Sequence, residues 1–501
     1  MDNRIRPPGK PLLICLILLE FPYLQLLSPW MKEEKDPSFE ENDNALLVER
    51  YERMMAKGEH HFYDVEEFED IMDHYMAFGK IAQAMEVLRL AKAQHPFDFD
   101  LMMREAELLA VSNKPKEALS LIEKVEMVEF NNPDVLLIKA SILSQLGRSK
   151  DTIECLKTAA RMTKENRDTI YLSLSYEYQN LERFTDALRY LHLALQANPA
   201  NEDALYELAF CYDQLERMEE SILFYQEFID RRPYSQHAWY NLGNAYSRLG
   251  RLEEGIDAYD YAIIIQDDFA AAYFNKANLM ARQKRYQKAI EVYKETEKFG
   301  FADALTFYYI GECFEKMEQW DSALANYRKA VAKDEFLADG WLGIGIVLDY
   351  QGQHRECLSY VQKAIDLDAD NADYWYVLAE VQEKLENFEA AKQAFERVLA
   401  LEYADEDVWL DYSNLYFKQG VTERAVEVVL EGMAHHPDKS DLYYRLTAYL
   451  LGWGREKQAL EMLQLALEFD PGNYNALLDY LPNASKLSSV VDMIQNYQQP
   501  E

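Results

Sequence analysis

The stretch HAWYNLGNAYSRLGRLEEGIDAYDYAI, residues 237–263, decides how this 501-residue chain is read. Trp239, Leu242, Gly243 and Tyr246 follow one another at steps of three, one and three. Gly255 and Tyr259 then lie four apart. Such steps keep residues on one face of an α-helix. Gly250 stands between the two runs and marks a turn. The stretch therefore predicts two short helices joined by a tight turn, with small residues on both for close approach.

The same pattern recurs along the chain. With Gln236 as position 1, Trp239 is position 4, Gly243 position 8, Gly250 position 15, Gly255 position 20 and Tyr259 position 24. Steps of 34 residues give further starts at 270, 304, 338, 372, 406 and 440, and backwards at 202 and 168. After one extra residue, starts at 133, 99 and 65 follow, making twelve units over residues 65–473. Position 20 is small in all twelve units, and position 8 in eleven, with Met72 the exception. Position 24 is large, as in Tyr225, Tyr259, Tyr293, Tyr327 and Phe395. Large knobs opposite small holes at fixed spacing are what two stacked antiparallel helices require. Turn residues close each unit, as in NPAN at 198–201 and DPGN at 470–473. A fixed period of this length predicts an all-α solenoid.

The quoted residues resemble the tetratricopeptide repeat family. Trp239, Leu242, Gly243 and Tyr246 match its W-x-x-L-G-x-x-Y core, and Gly255 with Tyr259 match the second half with Gly in place of Ala. The resemblance extends over 409 of the 501 residues. Met72 at position 8 and Phe130 at position 32, where Pro is usual, depart from it and mark an edge unit and a modified joint. The resemblance implies a right-handed superhelix of about twelve units. Its first helices line the concave side, with positions 2, 5, 9, 12 and 13 facing a groove. It also implies a non-catalytic protein–protein interaction scaffold that binds an extended peptide segment of a partner.

Outside the array, residues 1–30 form an atypical segment with an apolar run at 12–19. Eight residues are too few to span a bilayer, and no A-x-A-like cleavage site follows. It reads as a start-site artefact, or as a weak signal or anchor. Residues 31–64 form an acidic lead and an N-terminal cap helix with Leu47, Tyr51 and Met54 on one face. Residues 474–501 start like a thirteenth unit, lose the pattern at Pro482 and read as a C-terminal cap. The formal net charge of −36 repels phosphate backbones, so no nucleic-acid partner is expected. Five cysteines without a C-x-x-C pair fit a reducing compartment. The expected place is the cytoplasm, or the periplasm or a membrane tether if residues 1–30 are a genuine signal or anchor. No stable membrane insertion is expected.

No catalytic signature stands up, and no cofactor or metal is expected. GIGIVL at 343–348 lacks the third Gly of a dinucleotide loop and falls inside a repeat helix. DLDADNAD at 366–373 imitates a calcium loop, but Asn371 replaces the needed Gly and Val377 the bidentate Glu. His435 and His436 read as a solvated helix end. Binding candidates lie in the units spanning 202–337. Position 2 is acidic in eight of twelve units, yet it lapses at His237, Ala271 and Leu305 in succession. The same units carry Arg248, Arg282 and Lys316 at position 13. Asn241 with Asn244, and Asn275 with Asn278, can donate to and accept from a peptide backbone. Tyr206, Tyr240, Phe274 and Tyr308 at position 5 supply apolar area.

These residues predict a groove for an acidic or C-terminal peptide. In the alternative, the basic residues only neutralise acids such as Glu253 and Glu315, and the rings are core edge. Family members that clamp chaperone tails use Lys at position 5, where Tyr240 and Phe274 stand here. The asparagines resemble instead the ladder of long superhelical members that holds extended backbones. Two other readings stay open: a constitutive subunit that self-associates as a homo-oligomer or sits in a larger complex, and an exported or membrane-tethered protein. Because composition changes at Met31, a chain beginning there is expected to fold with unchanged helical content and melting temperature, checked by circular dichroism.

Overall fold

The computed structural model describes residues 37–300, 302–401 and 405–498, with side chains from Leu46 onward. Cys15, the segment 1–30 and the lead from Met31 to the start of the first helix lie outside the described residues. The chain divides into two compact units, residues 1–265 and 266–501. Among the described residues the regular structure of both is helical, without strands.

The first unit opens with α1 (Pro37–Lys57) and continues in pairs. These are α2 (Val65–Ala77) with α3 (Ile81–Gln94), α4 (Phe99–Val111) with α5 (Pro115–Glu126), and α6 (Pro133–Gln145) with α7 (Ser149–Met162). They are followed by α8 (Arg167–Asn180) with α9 (Phe184–Ala197), α10 (Glu202–Gln214) with α11 (Met218–Arg231), and α12 (Gln236–Arg248) with α13 (Leu252–Ile265). The second unit pairs α14 (Ala270–Arg282) with α15 (Tyr286–Lys298), α16 (Ala304–Lys316) with α17 (Trp320–Lys333), and α18 (Ala338–Tyr350) with α19 (His354–Leu367). It goes on with α20 (Ala372–Lys384) and α21 (Phe388–Ala400), α22 (Glu406–Lys418) and α23 (Thr422–His435), and α24 (Ser440–Gly452) and α25 (Glu456–Phe469). It closes with α26 (Asn475–Tyr480) and α27 (Ser488–Gln498).

Local chemistry explains each boundary. Many first helices are capped by the residue before them: Asp98 accepts from the Leu101 amide, Asn201 from Ala204, Ser235 from Ala238, Asp303 from Thr306 and Asp405 from Val408, whereas Asn166, Phe269, Leu337 and Lys439 give no side-chain cap. First and second helices of a pair are separated by a residue at position 15 with positive φ in all twelve repeats. Six of these are glycines, such as Gly250 at 71°. Glu182, Glu216, Lys284, Glu318 and Glu386 hold the same left-handed conformation, which disfavours a side chain. The turn is locked by amides bonding back across it, as Arg251 N–H does to the Tyr246 carbonyl at 2.9 Å and Arg217 N–H to Tyr212 at 3.0 Å.

Packing inside a pair follows the small and large positions. All twelve residues at position 24 are buried, from Leu88 to Leu463. A Cβ added at Gly243 would stand 2.5 Å from the Tyr259 ring, and one at Gly311 2.8 Å from the Tyr327 ring. Between repeats the aromatic residue at position 4 reaches back to the preceding turn. Trp239 donates its indole N–H to the Pro233 carbonyl, Trp341 to Glu335 and Trp375 to Ala369, each at 2.9 Å.

The irregular sites have local causes. The extra residue before 168 is absorbed because α8 starts one residue early, at Arg167, behind Asn166 in the left-handed region. Near Phe130, α5 stops at Glu126 and Phe130 is exposed, so the joint into α6 is remade by Asn132 capping and Pro133. On α1 the buried stripe is Val48, Tyr51 and Met54, with Leu47 only half-buried beside it. Pro482 ends the thirteenth first helix after six residues, and Leu477, Ala484, Val490 and Ile494 cover α25.

Gly243→Leu is expected to destabilise the protein by about 1–3 kcal/mol through overpacking. Glu216→Gly is expected to stabilise it by about 0.5–1 kcal/mol by relieving the left-handed backbone. Denaturant titration followed by circular dichroism measures both.

Candidate functional site

In each unit first helices touch first helices: α2 meets α4, α4 meets α6, α8 meets α10 and α10 meets α12, while α14 meets α16, α16 meets α18, α18 meets α20 and α22 meets α24. Their outward positions form one face per unit, and the sequence candidates are placed on or beside it.

In the first unit, Tyr206 and Tyr240 pack edge to face at 6.3 Å, and the Tyr240 ring lies 5.8 Å from Tyr259. The Tyr206 hydroxyl is 2.6 Å from His237 Nδ1, whose Nε2 is 3.0 Å from the Glu202 carboxylate. Burial lowers the His237 pKa and Glu202 opposes that shift. Asn244 Oδ1 accepts from the Tyr259 hydroxyl at 2.7 Å. Arg248 pairs with Asp213 at 2.8 Å. Asn241 departs from the sequence expectation. It is 1% exposed and donates to the Leu205 carbonyl at 3.3 Å. At position 6 it turns against the preceding first helix, so it joins repeats and offers nothing to a ligand.

In the second unit, Phe274 packs on Tyr293 at 5.7 Å and on Tyr309 at 5.6 Å. Asn278 repeats the Asn244 arrangement by accepting from the Tyr293 hydroxyl. Asn275 is half-buried and Arg282 exposed. Tyr308 is half-buried, 5.7 Å from Tyr327, and burial drives its pKa well up. Lys316 is exposed and makes no ion pair among the described residues.

The partner of a position-13 cation is a position-12 acid of the preceding repeat. Arg248 meets Asp213, Lys384 meets Asp349 and Lys418 meets Glu383. The residue in that place for Lys316 is Ala281, which explains the missing pair. The spacing of 35 residues between acid and base was readable in the sequence, and Glu315 is not the counterpart of Lys316. Glu315 instead accepts from the Tyr327 hydroxyl at 2.7 Å.

Two further groupings were not anticipated. Near the start of the first unit Arg104 is held by Glu107 at 3.1 Å, Asp73 at 2.9 Å and Glu69 at 3.5 Å. In the second unit the chain sets one of its own residues on the first-helix face. Tyr480 donates to Asn414 Oδ1 at 2.7 Å, lies under the Arg445 guanidinium at 4.0 Å and packs on Phe417 and Tyr449. Asn414 is at position 9, as are Asn244 and Asn278. Its own repeat has Val429 at position 24, so no hydroxyl from within the repeat competes for it.

The remaining motifs resolve into structure. Gly343 to Leu348 run inside α18, with Gly345 against Val361. Asn371 caps α20, and Asp370 pairs with Arg397. The His435 ring stacks on Trp409. Burial raises the thiols of Cys211, Cys313 and Cys357 to about 12. Among the described residues no cluster of three His, Cys, Asp or Glu is placed to hold a metal, and no helix is long and apolar enough to cross a membrane.

Sequence models of the tetratricopeptide repeat match residues 172–236, 225–269 and 240–302, residues 305–334, and residues 350–410 and 383–450, together more than half of the chain. The TPR repeat-containing protein YpiA of Bacillus subtilis is 22% identical over 166 residues, 33% of this chain and 39% of its own length. The uncharacterized protein y4yS of Sinorhizobium fredii is 32% identical over 110 residues, 21% of this chain and 60% of its own. This chain thus spans less than two thirds of either relative. Among solved structures, a chain of the APC/C hetero-tetramer Cut9-Hcn1 is similar at 14% identity, covering 82% of this chain and 94% of that one, with a TM-score of 0.42.

Burial raises the carboxyl pKa of Glu69, Asp100, Glu107, Asp134 and Glu207 on first helices of the first unit. A raised carboxyl binds more protons folded than unfolded just above the ordinary carboxylate range. Its contribution to stability is therefore full below that range and is lost as pH rises through the folded value. Hydrogen exchange, corrected for intrinsic rates, is expected to show α4 and α6 better protected at about pH 5 than at neutral pH.

Proposed function

Because this chain belongs to the tetratricopeptide repeat family, whose members are generally non-catalytic scaffolds for protein–protein interaction, we propose that it holds an extended segment of a partner protein along its first-helix face. The observation that carries this reading is Tyr480, an aromatic residue of the chain itself, seated on Asn414, Phe417, Arg445 and Tyr449. A surface that takes a hydroxyl and a ring from its own chain has the chemistry to take them from another.

In the first unit Tyr206, Tyr240, Asn244 and Arg248 are the proposed contacts; in the second they are Phe274, Asn278, Arg282, Tyr308 and Lys316. The asparagines suit a backbone, since the oxygen is held by a tyrosine and the amide keeps its direction. At position 13, Lys316, which no acid pairs among the described residues, suits an acidic or C-terminal segment.

The test follows from the tyrosine bonds. Asn→Ala would remove the acceptor from a buried hydroxyl, at a cost of about 1 kcal/mol. Asn→Asp keeps the acceptor and removes the donor. Proteins captured from native lysate by the full chain are compared with those captured by Asn244→Asp with Asn278→Asp. At least one is expected to fall fivefold or more while the melting temperature holds. Retention of every captured protein overturns the reading.

A second reading rests on Phe62, Phe97 and Phe130, which are 68%, 89% and 72% exposed. Each lies two or three residues before a repeat start, and exposed rings about one repeat apart suit a permanent neighbour, including another copy. A mass that rises with concentration, and stops rising after Phe97→Ser, favours that reading.

A further inference from the structure

The first-helix face of the first unit carries, between α6 and α10, a buried carboxylate with nothing to pair with. Glu177, on α8, is 4% exposed. Its Oε1 accepts from the Ser144 hydroxyl of α6. Its Oε2 is buried and has no hydrogen-bond partner. Buried carboxylates are ordinarily paired, because desolvating the charge without a donor is costly.

The chain supplies no cation here. The basic residues of α6, α8 and α10 are Lys139 and Arg167. Lys139 pairs with Glu126 at 2.6 Å, and Arg167 donates to the Thr163 carbonyl at 2.7 Å. The same three helices add Asp134, Asp203 and Glu207. Burial lifts the Glu207 and Asp134 carboxyls, and the Gln179 side chain opposes the shift of Glu207.

Two observations show what this register accommodates. Further toward the N-terminus, Arg104 sits on the same kind of surface, its guanidinium shared among Glu69, Asp73 and Glu107. In the second unit, Tyr480 stands over positions 9 and 12 of one repeat and 6 and 10 of the next. The same four positions in the repeats starting at 133 and 168 are Ser141, Ser144, Ser173 and Glu177. Where the second unit offers rings and a guanidinium, the first offers three hydroxyls and a carboxylate.

We propose that Glu177, with Ser144 and Glu207, forms a seat for one lysine or arginine side chain of a partner's extended segment. This rests on the reading of the first helices as a partner-binding face and assigns it a cationic anchor. Glu177 Oε2 accepts from the ammonium or guanidinium, and Ser144 keeps Oε1 oriented.

The test uses the full chain and fluorescein-labelled octalysine as probe, at about physiological ionic strength so that general attraction to an acidic chain is screened. Fluorescence anisotropy is expected to show at least fivefold weaker binding for Glu177→Gln and less than a twofold change for Glu219→Gln, an exposed acid on α11. Zero-length carbodiimide coupling of the bound probe to the unaltered chain is expected to place the new amide at Glu177 or Glu207, which keeps the test independent of how the variant folds. Equal losses from the two variants, no binding, or coupling confined to other acids overturns the proposal. Those results leave the capture comparison of Asn244 and Asn278 untouched, so the two readings fail separately.

Discussion

A ring or branched side chain at position 24 of each second helix fills the hollow left by a small residue at position 8 of the first. The other features of the repeat are arranged around that contact. The Tyr259 ring occupies the space that a Cβ on Gly243 would need, and Tyr327 does the same beside Gly311 and Gly343. Burying a ring of this size contributes on the order of 2 kcal/mol. The contact also fixes how near two helices approach. Once that distance is set, the left-handed residue at position 15 and the cap before the next first helix have little latitude. The tryptophan bonds at position 4 then tie three of the repeats to the turn behind them, whereas the buried Trp409 indole N–H has no hydrogen-bond partner among the described residues. The outward positions of the first helices are consequently delivered in register.

The fold was legible because it rests on volume, and volume is written in the sequence at fixed spacing. Position 20 is small twelve times, and all twelve are buried. Position 15 was legible only where it is Gly. Glu216 and Lys284 adopt the same φ because the helices on both sides impose it, and nothing in a lone glutamate announces that. The face was less legible than the fold. Helical spacing places Asn241 and Asn244 on one side of α12, but it does not tell which flank the neighbouring first helix covers. Asn241 bonds to α10 and Asn244 to Tyr259 of its own repeat. Likewise, the partners of Arg248 and Lys384 lie 35 residues back, across a joint that a single repeat does not contain.

Charge on this chain is organised by the same joint. With a formal net charge of −36, every cation has many acids to choose from, yet position 13 selects position 12 of the preceding repeat in three described pairs. These pairs are exposed on at least one side, so each adds little stability. Their consequence is local: they cancel cations that would otherwise attract anions. Lys316 escapes because Ala281 stands where the acid would be. An unpaired cation on so acidic a chain is a place where an anionic group meets less repulsion than elsewhere.

The side chains at positions 9 and 12 of one repeat and 6 and 10 of the next vary along the array, while the backbone that presents them is constant. Over α22 and α24 those positions are Asn414, Phe417, Arg445 and Tyr449, and they hold a tyrosine by ring, cation and hydrogen bond. Over α6 and α8 they are Ser141, Ser144, Ser173 and Glu177, where a ring would strand a buried carboxylate oxygen. Under the proposed reading, an aromatic guest is therefore favoured at one place and penalised at the other, although both are built on the same repeat. Discrimination of that kind needs no change of fold, only the replacement of side chains whose spacing the packed core already guarantees.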